Sequence, residues 1–310
     1  MQPIKVILNP YAGRGSGGRA KAQLDQALAQ AGVTFDLVET NGVGHAIELA
    51  RQARQDGYAT IVAVGGDGTV SEVMNGIALA TPADEVVGKL GVIPLGTGND
   101  FTDMLGVPRD LDHAARRIAA GQTRRIDLGY ATVQTGDQIQ QRYFDNNLGA
   151  GFEAWVTLES YKIKRLSGPL LYVAAALRAL NSYQPPHIEL EWETAGGEIG
   201  RRSEKTLLVS VGNSRRTGGG FYLTPNAQID DGVLDVALAD AMSFLRTLFL
   251  LPRALMGKHT TDAAVTMLRC HRLQLTCDEG LPVHLDGEVI AKQANRIEIC
   301  IQPGRLEVIV

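Results

Sequence analysis

The residues of this chain that could do chemistry sit in three glycine-bearing turns, each after a short apolar run, and in one late acidic pair. The turns read Asn9-Pro10-Tyr11-Ala12-Gly13-Arg14-Gly15-Ser16-Gly17-Gly18, Gly65-Gly66-Asp67-Gly68-Thr69 and Pro94-Leu95-Gly96-Thr97-Gly98-Asn99-Asp100-Phe101. Glycines let consecutive backbone N–H groups converge on one anion, and a helix starting there adds its dipole. Asp67 inside such a cradle would repel a phosphate by itself. A divalent cation bridging the two removes the conflict. The plainer reading makes Asp67 a helix cap in a tight turn. Capping alone would also explain Asn99 or Asp100, but not three glycine turns that bring aspartates to the same end of successive strands. The late pair, Asp286 and Glu288, shares one face of a strand or converges across Gly287 in a turn, and close carboxylates raise one pKa. A bare surface turn is the plainer alternative there.

The first turn contains a formal G-x-G-x-x-G at Gly13, Gly15 and Gly18, with Glu39 placed as the acid of a dinucleotide site. A Rossmann cofactor site is therefore an alternative. Asn9-Pro10-Tyr11-Ala12 intervenes between strand and first glycine, however, and a loop facing phosphate fits better. No Lys-Ser or Lys-Thr follows the glycines, so this is no Walker loop either.

Strand and helix patterns alternate through the first third. Strands are expected over 4–8, 35–39, 61–64 and 90–93, with helices over 19–31, 45–56 and from the second glycine turn to Ile77. That alternation implies a doubly wound α/β domain with ligands beyond the carboxyl ends of its strands. After about Asp127 short strands dominate, over 130–133, 140–146, 188–192, 206–211, 233–239, 273–276, 283–285 and 296–301, interrupted by helical patterns near 153–181 and 242–258. The expected architecture is a parallel-sheet domain over 1–128 and a β-rich, antiparallel, sandwich-like domain over 129–304, with 305–310 returning to the first. A single continuous sheet through both halves would sink that division.

Composition narrows the class. The 310 residues are 45% hydrophobic and 21% charged, enough for a sizeable core. Thirty-five are glycine, above the usual share of about 7%. The net charge of −4 gives no nucleic-acid footprint. Cys270, Cys277 and Cys300 are too few and too badly spaced for a disulfide framework or zinc site. The start, MQPIKVILNP, has no secretory pattern, and no apolar run nears the 18 residues of a spanning helix. A cytoplasmic or peripheral protein is expected. His187, His259 and His271 have no ligand spacing.

NPYAGRGSGG, VGGDGTVSEVMNGI and PLGTGNDF, in that order, resemble the bacterial diacylglycerol kinase-like lipid kinases, relatives of the sphingosine and ceramide kinases. The likeness continues through Ile126-Asp127-Leu128-Gly129, Asn147 to Phe152, Gly212-Asn213, Gly218-Gly219-Gly220, Pro225 to Val236 and Asp286-Gly287-Glu288. GGDGT by itself would also fit NAD kinases and phosphofructokinases. The later motifs narrow it.

The resemblance implies an ATP- and magnesium-dependent kinase acting on the hydroxyl of a membrane lipid such as diacylglycerol or a sphingoid lipid. It places ATP against Asn9, Pro10, Gly13, Arg14, Thr40, Gly65, Gly66, Asp67, Gly68, Thr69, Val70, Ser71, Glu72 and Thr97. Asp67, Asp100 and Asp127 would form the network holding the catalytic magnesium. Glu288 would accept the proton, with Asp286 as its partner. The Gln228 carbonyl, Asp231 and the Val233 carbonyl would hold a structural magnesium. Two departures stand out: Arg14 where relatives often carry Lys, and Gly44-His45-Ala46 where Gly-Asp-Ala is common. Phosphoryl transfer asks for positioning, charge neutralisation and a base near the hydroxyl, which these residue types supply. Basic-apolar stretches (Lys162, Lys164 and Arg165 before 170–180; Arg215 and Arg216; Arg246, Arg253 and Lys258 around 248–251) suit transient contact with anionic lipid or a solvated helix face. A homo-oligomer stays open, as does the identity of the lipid. An NAD kinase-like or Rossmann enzyme and a catalytically silent lipid-binding protein are the alternatives.

Overall fold

The computed structural model describes residues 3–96, 98–166, 169–217 and 220–310. Thr97, Gly218 and Gly219 lie outside the described residues, as does the side chain of Arg14. The chain divides into two compact units: one up to Ile126 together with Gly304–Val310, the other Asp127–Pro303.

The first unit contains β1 (Ile4–Leu8), α1 (Ala12–Gln30), β2 (Phe35–Glu39), α2 (His45–Gln55), β3 (Thr60–Gly65), α3 (Asp67–Leu79), β4 (Val87–Pro94), α4 (Asp100–Met104) and α5 (Leu111–Ala120). β5 (Thr123–Thr135) leads into the second unit, which adds β6 (Gln138–Phe144), β7 (Asn147–Gly151), α6 (Phe152–Ser160), α7 (Pro169–Leu180), β8 (His187–Glu193) and β9 (Ile199–Gly212). It ends with β10 (Leu234–Asp240), α8 (Phe244–Leu255), β11 (Val265–Cys270), β12 (Arg272–Leu285) and β13 (Glu288–Ile309), whose last residues belong to the first unit.

In the first unit β4, β3, β1 and β2 pair in parallel, and the end of β13 adds to β4. Parallel strands covered on both faces read as unbroken apolar runs, and Val6, Ile7 and Leu8 are all fully buried. Leu24 and Leu28 of α1 and Ala114, Ala115 and Ile118 of α5 pack on Val6, Leu8, Val62, Val64 and Ile93. The tail is tied in by Val310 N donating to the Gln122 carbonyl at 2.9 Å.

In the second unit the order β11-β10-β9-β7-β12-β13 is antiparallel, with β8 between β9 and β12 and β5 paired to β6. Its own apolar core runs from Ala131 and Phe144 through Val209, Val236 and Leu275 to Ile299. By strand pairing the condition set against the division is met, because β13 pairs β12 with its first part and β4 with its last. Strand direction and separate cores, rather than a gap in the ladder, distinguish the units. Among the described residues no helix is long and apolar enough to cross a membrane, and the three cysteines are free.

Candidate functional site

The glycine turns of the first unit follow β1, β3 and β4, at the carboxyl ends of neighbouring parallel strands. Asn9 ties the first to the second: its Nδ2 donates to Thr69 Oγ1 at 2.9 Å, and its backbone N to the Val64 carbonyl at 2.9 Å. α1 begins at Ala12, well before the apolar periodicity that starts near Arg19, so Gly13 to Gly18 form a coiled stretch rather than an open loop. Positive φ at Gly13 and Gly15 keeps that stretch irregular. Pro10 accepts from Gly18 N through its carbonyl, and Thr40 is buried with its N–H on the Leu8 carbonyl.

Close backbone approach explains the second and third turns. A Cβ on Gly96 would lie 2.5 Å from Gly66 Cα and 2.7 Å from Asn99 Oδ1. Gly96→Ala is therefore expected to destabilise the protein by ~1–3 kcal/mol through overpacking. Gly68, with open space around its Cβ direction, supplies the control: thermal unfolding should separate Gly96→Ala from an unshifted Gly68→Ala.

Asp67 opens α3, whose N-cap is Gly66, without a side-chain cap. Its Oδ1 instead accepts from Phe101 N at 3.3 Å, at the start of α4. The capping reading thus holds only in altered form, since Asp67 serves another helix. Asp100 is buried close by. Burial, and then the Asp100 charge, push the Asp67 carboxyl from 3.8 up to about 6, against the pull of neighbouring backbone amides. Two carboxylates crowded in this way, beside backbone able to meet phosphate, form a donor set suited to a hard divalent cation. Thr69, Val70 and Ser71 are buried in α3. Glu72 is turned elsewhere, and its oxygens accept from Gly44 N at 2.8 Å and Ala46 N at 3.1 Å, holding the start of α2. Its link to the Thr40 region is therefore through the backbone of 44–46, where His45 Nδ1 also accepts from Asn41 N.

In the second unit Asp286 and Gly287 form a two-residue hairpin turn between Leu285 and Glu288, with φ of +47° and +83°. Asp-Gly is the pair that such a left-handed turn favours. Asp286 accepts from Asn146 N at 3.1 Å and Asn147 N at 2.9 Å through Oδ1, and from Asp145 N at 3.3 Å through Oδ2. Burial pushes its carboxyl upward and these amides oppose it. Glu288 is different: its side chain is 43% exposed and meets Arg142 Nη2 at 2.5 Å. Tyr161 clamps the turn by donating to the Gly287 carbonyl at 2.9 Å and accepting from Val289 N at 3.4 Å. Burial, and less so the Glu288 charge, push its phenol upward. Glu288 is thus the reachable acid of the pair, and Asp286 an anchor.

Asp127 also lies in the second unit, buried, accepting from Gly232 N at 2.7 Å and donating its own N–H to the Ile229 carbonyl at 2.7 Å. It shapes the 229–232 loop that carries Asp231. Asp231 is ion-paired with Arg269 and accepts from Val233 N, while Gln228 is exposed. Arg269 lies on the Asp231 carboxylate, where a second cation would have to replace it. No group of three or more His, Cys, Asp or Glu suited to a metal occurs among the described residues. The sequence reading missed Arg142, Tyr161 and Asn213, whose Nδ2 bridges the Asp127 and Asp145 carbonyls. Only the Gly212-Asn213 dipeptide gave any signal.

The second unit also holds an apolar cavity of about 110 Å³. Phe152, Val156, Leu207, Met242, Leu250 and Val265 are among its walls, and its polar groups include Glu153, Thr217 and His284.

Comparison with known proteins bears on the family and the fold. Residues 3–131 match the diacylglycerol kinase catalytic domain, and residues 146–310 match the YegS C-terminal NAD kinase beta sandwich-like domain. The chain is 32% identical to a diacylglycerol kinase of Bacillus subtilis over 93% of its own length and 90% of the relative's. It is 30% identical to lipid kinase YegS of Escherichia coli K12, covering 88% and 85%. A diacylglycerol kinase crystal structure from Bacillus anthracis Sterne superposes with a TM-score of 0.72 at 22% identity, covering 99% and 96%, which shows a shared fold. Glycine turns on a parallel sheet, a hairpin presenting one reachable acid, and both domain matches lead to one assignment: the chain belongs to the diacylglycerol kinase family of lipid kinases.

Proposed function

We propose that this kinase uses ATP with magnesium to phosphorylate the free hydroxyl of a membrane glycerolipid such as diacylglycerol. The observation that carries the lipid reading is the apolar cavity of the second unit, whose walls suit an acyl chain and would leave a nicotinamide nucleotide's polar groups unpaired. The crowded Asp67–Asp100 pair supports a magnesium ion, which would neutralise phosphate charge when bound. In this reading the amides around Gly65 to Thr69 and Gly96 hold the phosphates, while Thr97 and Arg14 are assigned to the nucleotide by the family likeness alone. Glu288 takes the hydroxyl proton while Arg142, Tyr161 and Asp286 hold it in place. A total lipid extract incubated with labelled ATP, followed by mass spectrometry, should show one class of phosphorylated lipid. Phosphate appearing only on NAD would favour the NAD kinase-like alternative, and no transfer to any lipid would favour the silent binding protein.

Transient membrane contact belongs to the same reading, with its emphasis moved. Arg246 and Arg253 both pair with Asp262, and Lys162 and Arg178 with Glu159, so much of the basic charge is met within the protein. What α7 and α8 do present is apolar: Leu170, Leu177, Phe244, Leu245 and Phe249 are exposed, while Tyr172, Ala176, Leu250 and Ala254 of the same helices line the cavity. Such two-faced helices suit a lipid surface at the entrance of an acyl site. Phe249→Glu is expected to lower sedimentation with phosphatidylglycerol-containing vesicles at least about fivefold, with the melting temperature unchanged, since Phe249 is 75% exposed. Equal sedimentation of both proteins would remove α8 from the contact.

A further inference from the structure

β12 reaches its hairpin through Val283-His284-Leu285, and alternation along the strand turns His284 away from the side taken by its two apolar neighbours. His284 is nevertheless only 2% exposed. Its cross-strand partner on β7 is Gly149. A Cβ there would lie 2.3 Å from His284 Nε2 and 2.6 Å from Glu153 Cδ. The missing side chain makes the space in which imidazole and carboxylate meet, with Nε2 3.4 Å from Glu153 Oε1.

The other ring nitrogen is also engaged: Nδ1 accepts from Gly287 N at 3.3 Å. An accepting Nδ1 requires a neutral ring with its proton on Nε2, facing Glu153. Glu153 Oε1 accepts from Asn147 Nδ2 at 2.8 Å and Thr217 Oγ1 at 3.2 Å. The Glu153 side chain is itself only 10% exposed. A buried charge of this kind is costly unless its surroundings are arranged for it. Here the arrangement leads through the ring to one peptide N–H, and that N–H lies between Asp286 and Glu288.

We propose that Glu153 and His284 are a positioning pair for phosphoryl transfer: Glu153 fixes the tautomer and orientation of His284, and His284 Nδ1 fixes the Gly287 peptide and so the placement of Glu288. This rests on the assignment of Glu288 as proton acceptor. The pair need not touch substrate. A shift of about 1 Å in a reacting group is enough to cost rate steeply.

Steady-state kinetics with ATP and the accepted lipid, together with thermal unfolding, test this on three variants. His284→Gln keeps a donor toward Glu153 but loses the acceptor for Gly287, and is expected to lower kcat ~10-fold or more with KM for ATP unchanged. His284→Asn places its carbonyl near the Nδ1 position and should recover most of that loss. Glu153→Gln can donate to Nε2, move the ring proton to Nδ1 and break the Gly287 contact, so it should resemble His284→Gln. Should the histidine variants not fold, this near-isosteric one carries the test alone. Three variants with normal kcat and lowered melting temperatures would reduce the pair to packing and overturn the proposal. A rise in lipid KM with normal kcat would also overturn it, making the pair a ligand contact of the cavity. An active wild-type enzyme with unaffected variants sinks only this inference, whereas a wild-type enzyme that phosphorylates no lipid sinks the function beneath it.

Discussion

Glu288→Gln is expected to lower kcat by about 10²-fold or more while ATP–magnesium still binds. Gln keeps the length of the side chain and a carbonyl for Arg142, which lies 2.5 Å from Oε2, so the hairpin should keep its shape. What disappears is the oxygen able to take a proton. Asp286 is poorly placed to substitute, because its carboxylate already accepts from the amides of Asp145, Asn146 and Asn147. Asp286→Asn should instead weaken the turn, and with it the melting temperature. If Glu288 served only its ion pair with Arg142, a half-exposed contact, its loss would cost no more than about 1 kcal/mol and leave turnover intact. Phosphate transfer from labelled ATP, with nucleotide binding followed by calorimetry, separates the two. A Glu288→Gln enzyme with near-normal turnover would defeat the assignment.

Periodicity made the first unit largely readable, because buried parallel strands and amphipathic helices each leave a distinct pattern. β1 and β2 occupy the very residues expected, and β3 and β4 exceed theirs by a few. β7 was not legible as a strand. Asn147-Leu148-Gly149-Ala150-Gly151 is poor in β-forming residues, and its conformation comes from pairing β9 on one side and β12 on the other. β12 looked like two strands, at 273–276 and 283–285, because Asp278-Glu279-Gly280 interrupts the apolar pattern. The chain passes through as one strand with register shifts. α4 and α5 were missed too: α4 spans barely one turn, and α5 starts at a cap, Asp110 accepting from His113 N, that no apolar run announced.

The site divided along the same line. Glycine turns are visible in sequence since each needs a residue type that little else replaces. Gly66 and Gly96 come so close that a Cβ would collide. The Asp286-Gly287 turn was legible for the same reason: it is a hairpin turn, with Glu288 half exposed beside it. What surrounds it was not legible. Arg142, Glu153 and Tyr161 reach the hairpin or its histidine from elements far away in sequence, and neither spacing nor composition marks such contacts. Glu72 shows the reverse case, a residue inside a strong motif whose carboxylate is spent on the amides of a neighbouring helix.

Asp67→Asn is expected to act through charge rather than through shape, and pH gives the means of seeing it. In the folded protein without metal, Asp67 titrates at about 6 instead of 3.8 because burial and Asp100 disfavour its ionised form. Between those two values the folded state holds a proton that the unfolded state has released. Stability therefore falls as pH rises from about 4 to about 6, and that loss remains above this window. Magnesium favours the ionised carboxylate, so its stabilising effect on the melting temperature should grow through the same window. Asn removes the titration: the Asp67 part of the slope should vanish and the magnesium-dependent shift should shrink. Turnover should drop by ~10² or more, with a higher magnesium requirement, because the metal would lose a buried partner where phosphate charge develops. The competing account keeps Asp67 as a structural acceptor for the Phe101 amide at the start of α4, a contact that Asn also makes. On that account Asp67→Asn would still flatten the pH profile of melting but would leave the magnesium shift and the rate close to those of the unaltered chain, and such a result would take Asp67 out of the metal network.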